Sequence, residues 1–226
     1  MVEHVSRACI TLPTYGPHSA GSRMAKRGVR SEYRRAFDEV LKKIQDQLRG
    51  AQPGVFPIRM YIAGGAALNL LTGERVTEDI DATFSKRVLF KEEVQASYRD
   101  ADGRARLMYL DRNYNDTLGL LHERAYEDSQ PVEVDGVDKK LIEVRVLTPL
   151  DLAVSKLARF TDQDRADIEL LAKRGLLESE ALRRRAEEAL QCYVGDLAPV
   201  RTSIDIVCRL IDAHRPTPKR PKSSTR

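Results

Sequence analysis

Residues 61–84 of the chain run Tyr-Ile-Ala-Gly-Gly-Ala-Ala-Leu-Asn-Leu-Leu-Thr-Gly-Glu-Arg-Val-Thr-Glu-Asp-Ile-Asp-Ala-Thr-Phe. An apolar run over residues 58–63 predicts a β-strand that ends at Gly64 and Gly65. A short helical segment follows and closes at Gly73. Glycines at the start of a helix leave backbone N–H groups open to a ligand, and such a place binds phosphate. This part of the stretch therefore predicts a strand, a phosphate-binding turn and a helix.

The second half of the stretch is a strand whose acidic residues share one face. It covers residues 79–84, and the two-residue period of a strand places Asp79 and Asp81 on one face and Ile80 on the other. Two adjacent carboxylates repel each other and resist burial without a partner. Mg²⁺ removes that cost, because it takes oxygen ligands from one or two carboxylates and from nucleotide phosphates. Taken singly, the glycines are equally explained as a tight turn and Asp79 as a strand boundary, so their combination favours a metal and nucleotide site.

The chain resembles the polymerase-beta-like nucleotidyltransferases. Their Gly-Gly or Gly-Ser … Asp-x-Asp motif is similar to the string Gly64-Gly65-x-Ala67-Leu68-x10-Asp79-Ile80-Asp81. Within that family the similarity is greatest to the AbiEii and MenT-like toxins of bacterial toxin–antitoxin and abortive-infection systems. A second block, over residues 150–168, is similar to that group's downstream Lys…Asp-x-x-Asp motif. Together the two blocks frame residues 61–171, about half of the chain.

The resemblance implies a fold and a set of functional residues. The implied fold class is α/β (α+β), a nucleotidyltransferase-like mixed sheet flanked by helices, with a helical C-terminal part. The implied nucleotide-binding residues are Gly64, Gly65, Arg75 and Thr77. The implied metal ligands are Asp79, Asp81 and Glu143, with Asp111 as the second choice for the third carboxylate. The implied catalytic residues are Lys156, Asp164 and Asp167, and either aspartate is an alternative source of the third acidic group.

One residue departs from the motif of the second block. Arg159 stands one place from the position expected for the motif's arginine relative to Asp164. The departure leaves the expected fold unchanged. It weakens any functional role that the resemblance would assign to Arg159.

The resemblance also implies an activity. It is the Mg²⁺-dependent transfer of a nucleoside monophosphate from an NTP to an acceptor, with tRNA as the expected acceptor. The protein would act as the toxin of a toxin–antitoxin system and would have a cognate antitoxin protein as partner. Two alternatives stay open, namely the same transfer to a small molecule and a non-catalytic relative that binds nucleic acid or a protein. Of these, the second rests only on the basic ends of the chain.

Charge is unevenly distributed along the 226 residues, whose net charge is +4. Residues 1–49 hold ten Lys and Arg against five Asp and Glu, and residues 214–226 hold five against none. Basic ends of this kind suit contact with nucleic acid. They are equally explained as solvated segments that keep the protein in solution.

Cysteine content and hydropathy indicate the class of protein. Cys9, Cys192 and Cys208 are an odd number and form no Cys-x-x-Cys pair, so neither a disulfide framework nor a zinc site is expected. No apolar run approaches the length of a membrane span, and the first residues lack an apolar secretory core. We therefore expect a cytoplasmic protein with no membrane partner.

Composition and periodicity divide the chain into four parts. The predicted parts are a weakly ordered segment over residues 1–30, a nucleotidyltransferase-like core over 31–147, a helical part over 148–213 that closes the cleft, and a basic disordered tail over 214–226. The core is long enough to bury a sizeable interior.

The predicted elements outside the central stretch follow from the same patterns. Helices are predicted from Ser31 to Gly50 and from Phe90 to Asp100, strands over residues 104–110 and 117–122, a hairpin of residues 131–134 and 140–146 around Asp135-Gly136, and three helices that start near Thr148, Asp164 and Glu178. A last helical segment ends near Ala213. Because strands and connections alternate in this way, we expect a sheet of mixed direction.

The position of Lys156 on its helix leads to a specific expectation. Thr148-Pro149-x-Asp151 is a strong helix start, and Lys156 falls two turns inside that helix, off its apolar stripe. We therefore expect a partly exposed lysine whose ammonium group points toward Asp79 and Asp81 and contributes little to folding. Asp164 and Asp167 share one helical face further on, and they are equally explained as capping charges of the helix N-terminus.

Overall fold

The computed structural model describes residues 20–49, 56–114 and 119–215, with side chains from residue 32 onward. The predicted weak order of residues 1–19 and the predicted disordered tail over residues 216–226 lie outside these ranges.

A mixed sheet of six strands forms the centre of the described chain. Its strands are β1 Ile58–Ile62, β2 Asp79–Phe84, β3 Gln95–Arg99, β4 Ala105–Asp111, β5 Gln130–Pro131 and β6 Ile142–Val146, in the order β3-β4-β2-β1-β6-β5. β1 runs antiparallel to β2 and parallel to β6, and β2 runs parallel to β4. β3 and β5 add antiparallel edges. The expected mixed direction of the sheet is confirmed.

Seven helices flank this sheet within the described ranges. They are α1 Ala20–Leu48, α2 Gly64–Thr72, α3 Ala125–Asp128, α4 Pro149–Ser155, α5 Asp162–Lys173, α6 Ser179–Leu190 and α7 Leu197–His214. The last four form the helical C-terminal part that the sequence predicts. The fold is therefore mixed α/β, as expected. Within the described chain, no helix combines the length and the apolar content needed to cross a bilayer.

Helix α1 covers one face of the sheet at β3 and β4. Its stripe of buried apolar residues is the one that the sequence predicts: Tyr33, Phe37, Val40, Leu41, Ile44 and Leu48. Tyr33 contacts Tyr98 of β3 edge to face, with ring centroids 5.6 Å apart. The helix begins at Ala20 rather than at the predicted cap Ser31. The difference arises because apolar periodicity marks where a helix packs and does not mark where it begins.

The segment around β3 corrects the predicted helix over residues 90–100. Ala96 and Tyr98 are buried while Ser97 and Arg99 are exposed, which is the alternation of a strand. Pairing with β4 and burial beneath α1 decide the conformation here, and neither is visible in a local window of sequence.

The strand predicted over residues 117–122 is also wrong for the part that the structure describes. Residues 119–122 form no strand and precede α3. Leu120 is nevertheless fully buried, so its apolar character serves packing in a connection. The antiparallel pairing predicted around Gly136 is confirmed by β5 and β6, although the first strand covers Gln130–Pro131 and not residues 131–134. Gly136 in the connection has a φ of +77°.

An ion-pair cluster joins α4 to α6. Asp151 in the first turn of α4 is only 1% exposed, and its backbone N–H donates to the N-cap Thr148 Oγ1 at 3.0 Å. Arg185 of α6 donates through Nε to Asp151 Oδ1 and through Nη2 to Asp128 Oδ2, both at 2.8 Å. A buried carboxylate needs such partners, because the loss of its hydration is otherwise uncompensated.

Arg185→Ala should lower the free energy of unfolding by about 3–5 kcal/mol, since it leaves the Asp151 carboxylate buried without its cation. Urea denaturation measures the change. The matched control on the same helix is Arg183→Ala, whose exposed pair with Asp205 is worth about 1 kcal/mol or less. Equal effects of the two substitutions would show that the cluster does not hold α4 against α6.

Candidate active site

A cavity of about 580 Å³ lies between the sheet and the helices α4 and α5. Every residue predicted for the site lines it except Glu143: Gly64, Gly65, Arg75, Thr77, Asp79, Asp81, Lys156, Asp164 and Asp167. Asp111, Arg159 and Gln163 complete the charged and polar part of the lining. The structure thus brings together the two blocks of sequence that lie about 75 residues apart.

The start of α2 lies directly against the carboxylate of Asp81. Gly64 has a φ of +56°, and a Cβ atom at this position would overlap Asp81 Oδ2. A Cβ atom on Gly65 would lie 3.0 Å from Thr77 Cβ. Backbone pairing holds this arrangement, because Ala63 N–H donates to Asp81 O at 2.9 Å. The glycines are therefore required by the close approach of β2 as well as by the turn.

The turn before β2 is held by two side chains. Thr77 Oγ1 donates to Asp79 Oδ1, and Asn69 Nδ2 donates to the backbone oxygen of Arg75. These contacts connect α2 to the first residue of β2. Thr77 therefore orders the turn before β2.

Three carboxylates share the open face of the sheet. Asp79 and Asp81 lie on β2, and Asp111 of β4 is the register partner of Asp81 in the parallel pair. Burial, followed by the charges of Asp79 and Asp111, raises the pKa of Asp81 from 3.8 to about 6, against the opposing charges of Lys156 and Arg159. Burial and the neighbouring carboxylates thus both disfavour the charged form of Asp81.

Glu143 does not belong to this group of carboxylates, and its predicted role as metal ligand is not supported by its position. It lies on β6, on the far side of β1 from β2, and it accepts hydrogen bonds from Arg59 Nε at 3.2 Å and Arg145 Nη1 at 2.5 Å. Asp111, the second choice, occupies the expected place beside β2. The order of the strands decides between the two, and that order cannot be derived from the local pattern.

The helical wall of the cavity carries Lys156. α4 ends at Ser155, so Lys156 is its C-cap residue and does not lie inside the helix as predicted. Its side chain is buried, with 6% of the residue exposed, and Nζ donates to Asp167 Oδ2 at 2.8 Å and to Asp164 Oδ1 at 3.3 Å. The expectation of a partly exposed lysine is therefore wrong, because the cation bridges two carboxylates of α5.

Asp164 caps the start of α5 and also pairs with two cationic side chains. Thr161 and Asp164 form a capping box at the start of α5, and Arg159 donates to both carboxylate oxygens at 2.9 and 2.8 Å. Burial alone raises the pKa of Asp164, but hydrogen bonds from Arg159 and Thr161 and the charge of Lys156 outweigh it and hold that pKa well below its usual range. Asp164 therefore stays ionised and positions cations, and it is unsuited to proton transfer.

Asp167 holds the second end of the same wall. It accepts from Gln163 Nε2 at 2.8 Å, and Arg75 Nε lies 3.7 Å from its Oδ1. Arg75 Nε is buried and has no hydrogen-bond partner among the described residues. The guanidinium group of Arg75 is thus placed at the cavity by charge attraction, with a donor that protein groups do not satisfy.

Arg159 lies at the cavity even though its position departs from the motif. Its side chain is 73% exposed, lines the cavity and forms the bidentate pair with Asp164. Phe160, the next residue, has a φ of +40° in the connection between α4 and α5. In the sequence, the one signal for this pair is a basic residue, Arg159, five positions before Asp164. Spacing alone does not show how the chain turns between α4 and α5.

The two walls of the cavity therefore carry charges of opposite sign. The sheet wall presents the carboxylates of Asp79, Asp81 and Asp111, and the helical wall presents the cations of Lys156 and Arg159. Arg75, from the turn before β2, reaches toward Asp167 on the helical wall. Within the described chain, no three His, Cys, Asp or Glu side chains are gathered tightly enough to form a metal site by themselves. Such a site suits a ligand that brings both phosphate groups for the cations and a metal ion for the carboxylates.

Asp81→Asn should stabilise the protein above pH 6. Because the folded state raises the pKa of Asp81 to about 6, the free energy of unfolding falls as the pH rises from about 4 to 6. The neutral amide removes that loss, so the variant should gain about 1–2 kcal/mol at about pH 7.5 and nothing near pH 4. Urea denaturation at both pH values tests this, with the exposed Asp102→Asn as control. A loss of stability at the higher pH would mean that the Asp81 carboxylate is a structural group.

Lys156→Met should lower the free energy of unfolding by about 3 kcal/mol, because the buried carboxylates of Asp164 and Asp167 lose their shared cation. The control is Lys173→Met on α5, whose side chain is 55% exposed in its pair with Glu169 and should contribute little. Chemical denaturation of both variants gives the comparison. A Lys156 variant as stable as the control would return this residue to the weak role expected from sequence.

Comparisons with known proteins place the chain in a family. No curated protein matches the chain significantly. A solved structure, an antigenic nucleotidyltransferase-like protein from Paracoccidioides brasiliensis, is similar to 79% of this chain over 94% of its own, at 15% identity and a TM-score of 0.37. The AbiEii and MenT-like toxin group stays a prediction. A family model described as a nucleotidyltransferase of unknown function, DUF6036, matches residues 39–201, and the chain therefore belongs to this nucleotidyltransferase family.

Proposed function

We propose that the protein transfers a nucleoside monophosphate from an NTP to an acceptor, with Mg²⁺ as the metal. The observation that carries the proposal is the cavity itself. Its sheet wall of carboxylates, the glycine-bearing start of α2 and its helical wall of cations all face one space. A nucleoside triphosphate with its metal ion carries the complementary charges.

The carboxylates fit a metal that arrives with its nucleotide. Asp79, Asp81 and Asp111 offer hard oxygen ligands, and burial together with the charges of Asp79 and Asp111 raises the pKa of Asp81. Since no ready-made cluster exists in the described chain, the phosphates of the nucleotide would complete the ligand set. When bound, Mg²⁺ would neutralise phosphate charge and orient the α-phosphate for in-line attack.

Backbone groups at Gly64 and Gly65 are placed to receive the phosphates. The first N–H groups of α2 have no partner within their own helix, and the helix dipole favours an anion there. Neither glycine carries a side chain that would obstruct the approach, and Asp81 already occupies the space that a Cβ atom at Gly64 would take. The same feature therefore brings the phosphate-binding turn and the metal-binding carboxylate together.

The cations of the helical wall would stabilise the charge of the leaving pyrophosphate. Lys156 and Arg159 are held by Asp164, so their positions are fixed before a nucleotide binds. Preorganised charge of this kind is effective because it needs no reorganisation when the transition state forms. Arg75 adds a donor that lacks a protein partner within the described ranges.

We further propose that the acceptor is RNA, with tRNA as the expected molecule, and that the protein acts as a toxin restrained by a cognate antitoxin in the cytoplasm. The support is the resemblance of the two sequence blocks to the toxin group and the basic ends of the chain. Transfer to a small molecule is the second candidate. Labelling of whole-cell RNA, protein and small-molecule fractions with α-phosphate-labelled NTPs distinguishes these acceptors.

Asp111→Asn should lower the rate of nucleotidyl transfer by about 10²-fold or more, the scale seen when one charge-stabilising group is removed from a catalytic site. Glu143→Gln should leave the rate unchanged, because Glu143 lies outside the cavity. Asp79→Asn should abolish both transfer and the binding of Mg²⁺–ATP, measured by calorimetry.

The paired variants separate the two candidates for the third carboxylate. Loss of activity in Glu143→Gln with normal activity in Asp111→Asn would reverse the assignment. Full activity in Asp79→Asn would remove the metal site altogether and with it the proposed chemistry.

A further inference from the structure

A row of exposed side chains continues the open face of the sheet beyond the carboxylates. We name it the β3–β4 shelf and define it by Gln95, Ser97 and Arg99 of β3 and Leu107 and Tyr109 of β4. Tyr109 is 41% exposed and Leu107 is 42% exposed, although β4 has a neighbouring strand on each side. The opposite face of these strands packs against α1.

Strand register places the shelf next to the candidate active site. Tyr109 is the direct partner of Asp79 on one side and of Gln95 on the other. Directly opposed residues of adjacent strands share a face, so the Tyr109 ring stands on the same side as the carboxylates. Burial, followed by the charges of Asp79 and Asp111, raises the pKa of Tyr109, which agrees with this proximity.

The direction of the reaction makes this side the acceptor side. In an in-line displacement, the attacking hydroxyl and the leaving pyrophosphate lie on opposite sides of the α-phosphorus. Under the proposed function, Lys156 and Arg159, which line the cavity at the helical wall, would bind the leaving pyrophosphate. The acceptor must therefore approach from the side of Asp111 and β4, where the shelf lies.

The chemistry of the shelf suits the end of a polymer. A small-molecule acceptor is usually enclosed over most of its surface, whereas this face is open. Successive rows of a strand are about 7 Å apart, so Tyr109, Leu107 and the row of Arg99 form three steps along an extended chain. Arg99 donates one N–H to Gly103 O at 2.9 Å and keeps others for a phosphate.

Resting on the proposed transfer activity, we propose that the β3–β4 shelf binds the single-stranded end of a nucleic acid acceptor, with one base stacked on Tyr109 and the strand continuing over Leu107 toward Arg99. An exposed aromatic ring beside the reacting groups is suited to stacking, since every base has a flat face. The stacked base holds the terminal hydroxyl near the carboxylates.

The test uses fluorescence anisotropy with the full chain and a labelled single-stranded RNA of about ten nucleotides in low salt. Tyr109→Ala should weaken binding by about 5- to 150-fold, the loss expected for one stacked base. Tyr109→Trp should retain binding, because indole stacks equally well. The matched control is Leu89→Ala, a more exposed apolar residue that lies outside the shelf. A fully base-paired RNA of the same length should bind more weakly than the single strand.

Binding of Mg²⁺–ATP, measured by calorimetry, separates this inference from the proposed function. Tyr109→Ala should bind Mg²⁺–ATP as the unaltered protein does. The inference is overturned if single-stranded RNA fails to bind, if Tyr109→Ala binds it unchanged, or if that variant loses nucleotide affinity as well. None of these results would affect the Asp79 test of the transfer activity.

Discussion

The close approach of Asp81 to Gly64 is the contact on which the rest of the site depends. β2 brings its carboxylate so near the start of α2 that no side chain fits at position 64, and the φ of +56° there favours glycine independently. The contact places the carboxylate of Asp81 against the glycine-bearing start of α2, which the proposed function assigns to metal and phosphate. It also has a cost in stability, since burial and neighbouring charge disfavour ionisation of Asp81. Local destabilisation of this kind is common where a protein binds a charged ligand.

The helical C-terminal part balances that charge from the other wall. The capping box of α5 turns Asp164 inward, and Asp164 in turn fixes Lys156 and Arg159. Asp164 therefore caps the start of α5, pairs with two cations and lines the cavity. Phe160, with a φ of +40°, lies in the connection between these cations and the start of α5. Because both walls are charged in advance, a nucleotide and its metal would meet a preorganised site.

Local patterns were sufficient wherever one element carries the information. β2 over residues 79–84, the helix closed by Gly73 and the buried stripe of α1 all follow from periodicity and turn chemistry. The combination of Gly64 and Asp79 also indicated the nucleotidyltransferase family, which the family match to residues 39–201 confirms. Conversely, β3 looked helical because its apolar residues were too few for its period to stand out. Only pairing with β4 and cover by α1 made it a strand.

By itself, the sequence determined the identity of the charged groups and the local turns that display them. The tertiary structure decided which of those groups meet. Glu143 and Asp111 are equivalent as acidic residues near strands, and the strand order alone places Asp111 beside Asp81. Likewise, helix periodicity predicts a partly exposed Lys156, whereas the packing of α5 buries it between two aspartates. The physical reason is that periodicity records the surroundings of one element, while a site is made by contacts between elements distant in the chain.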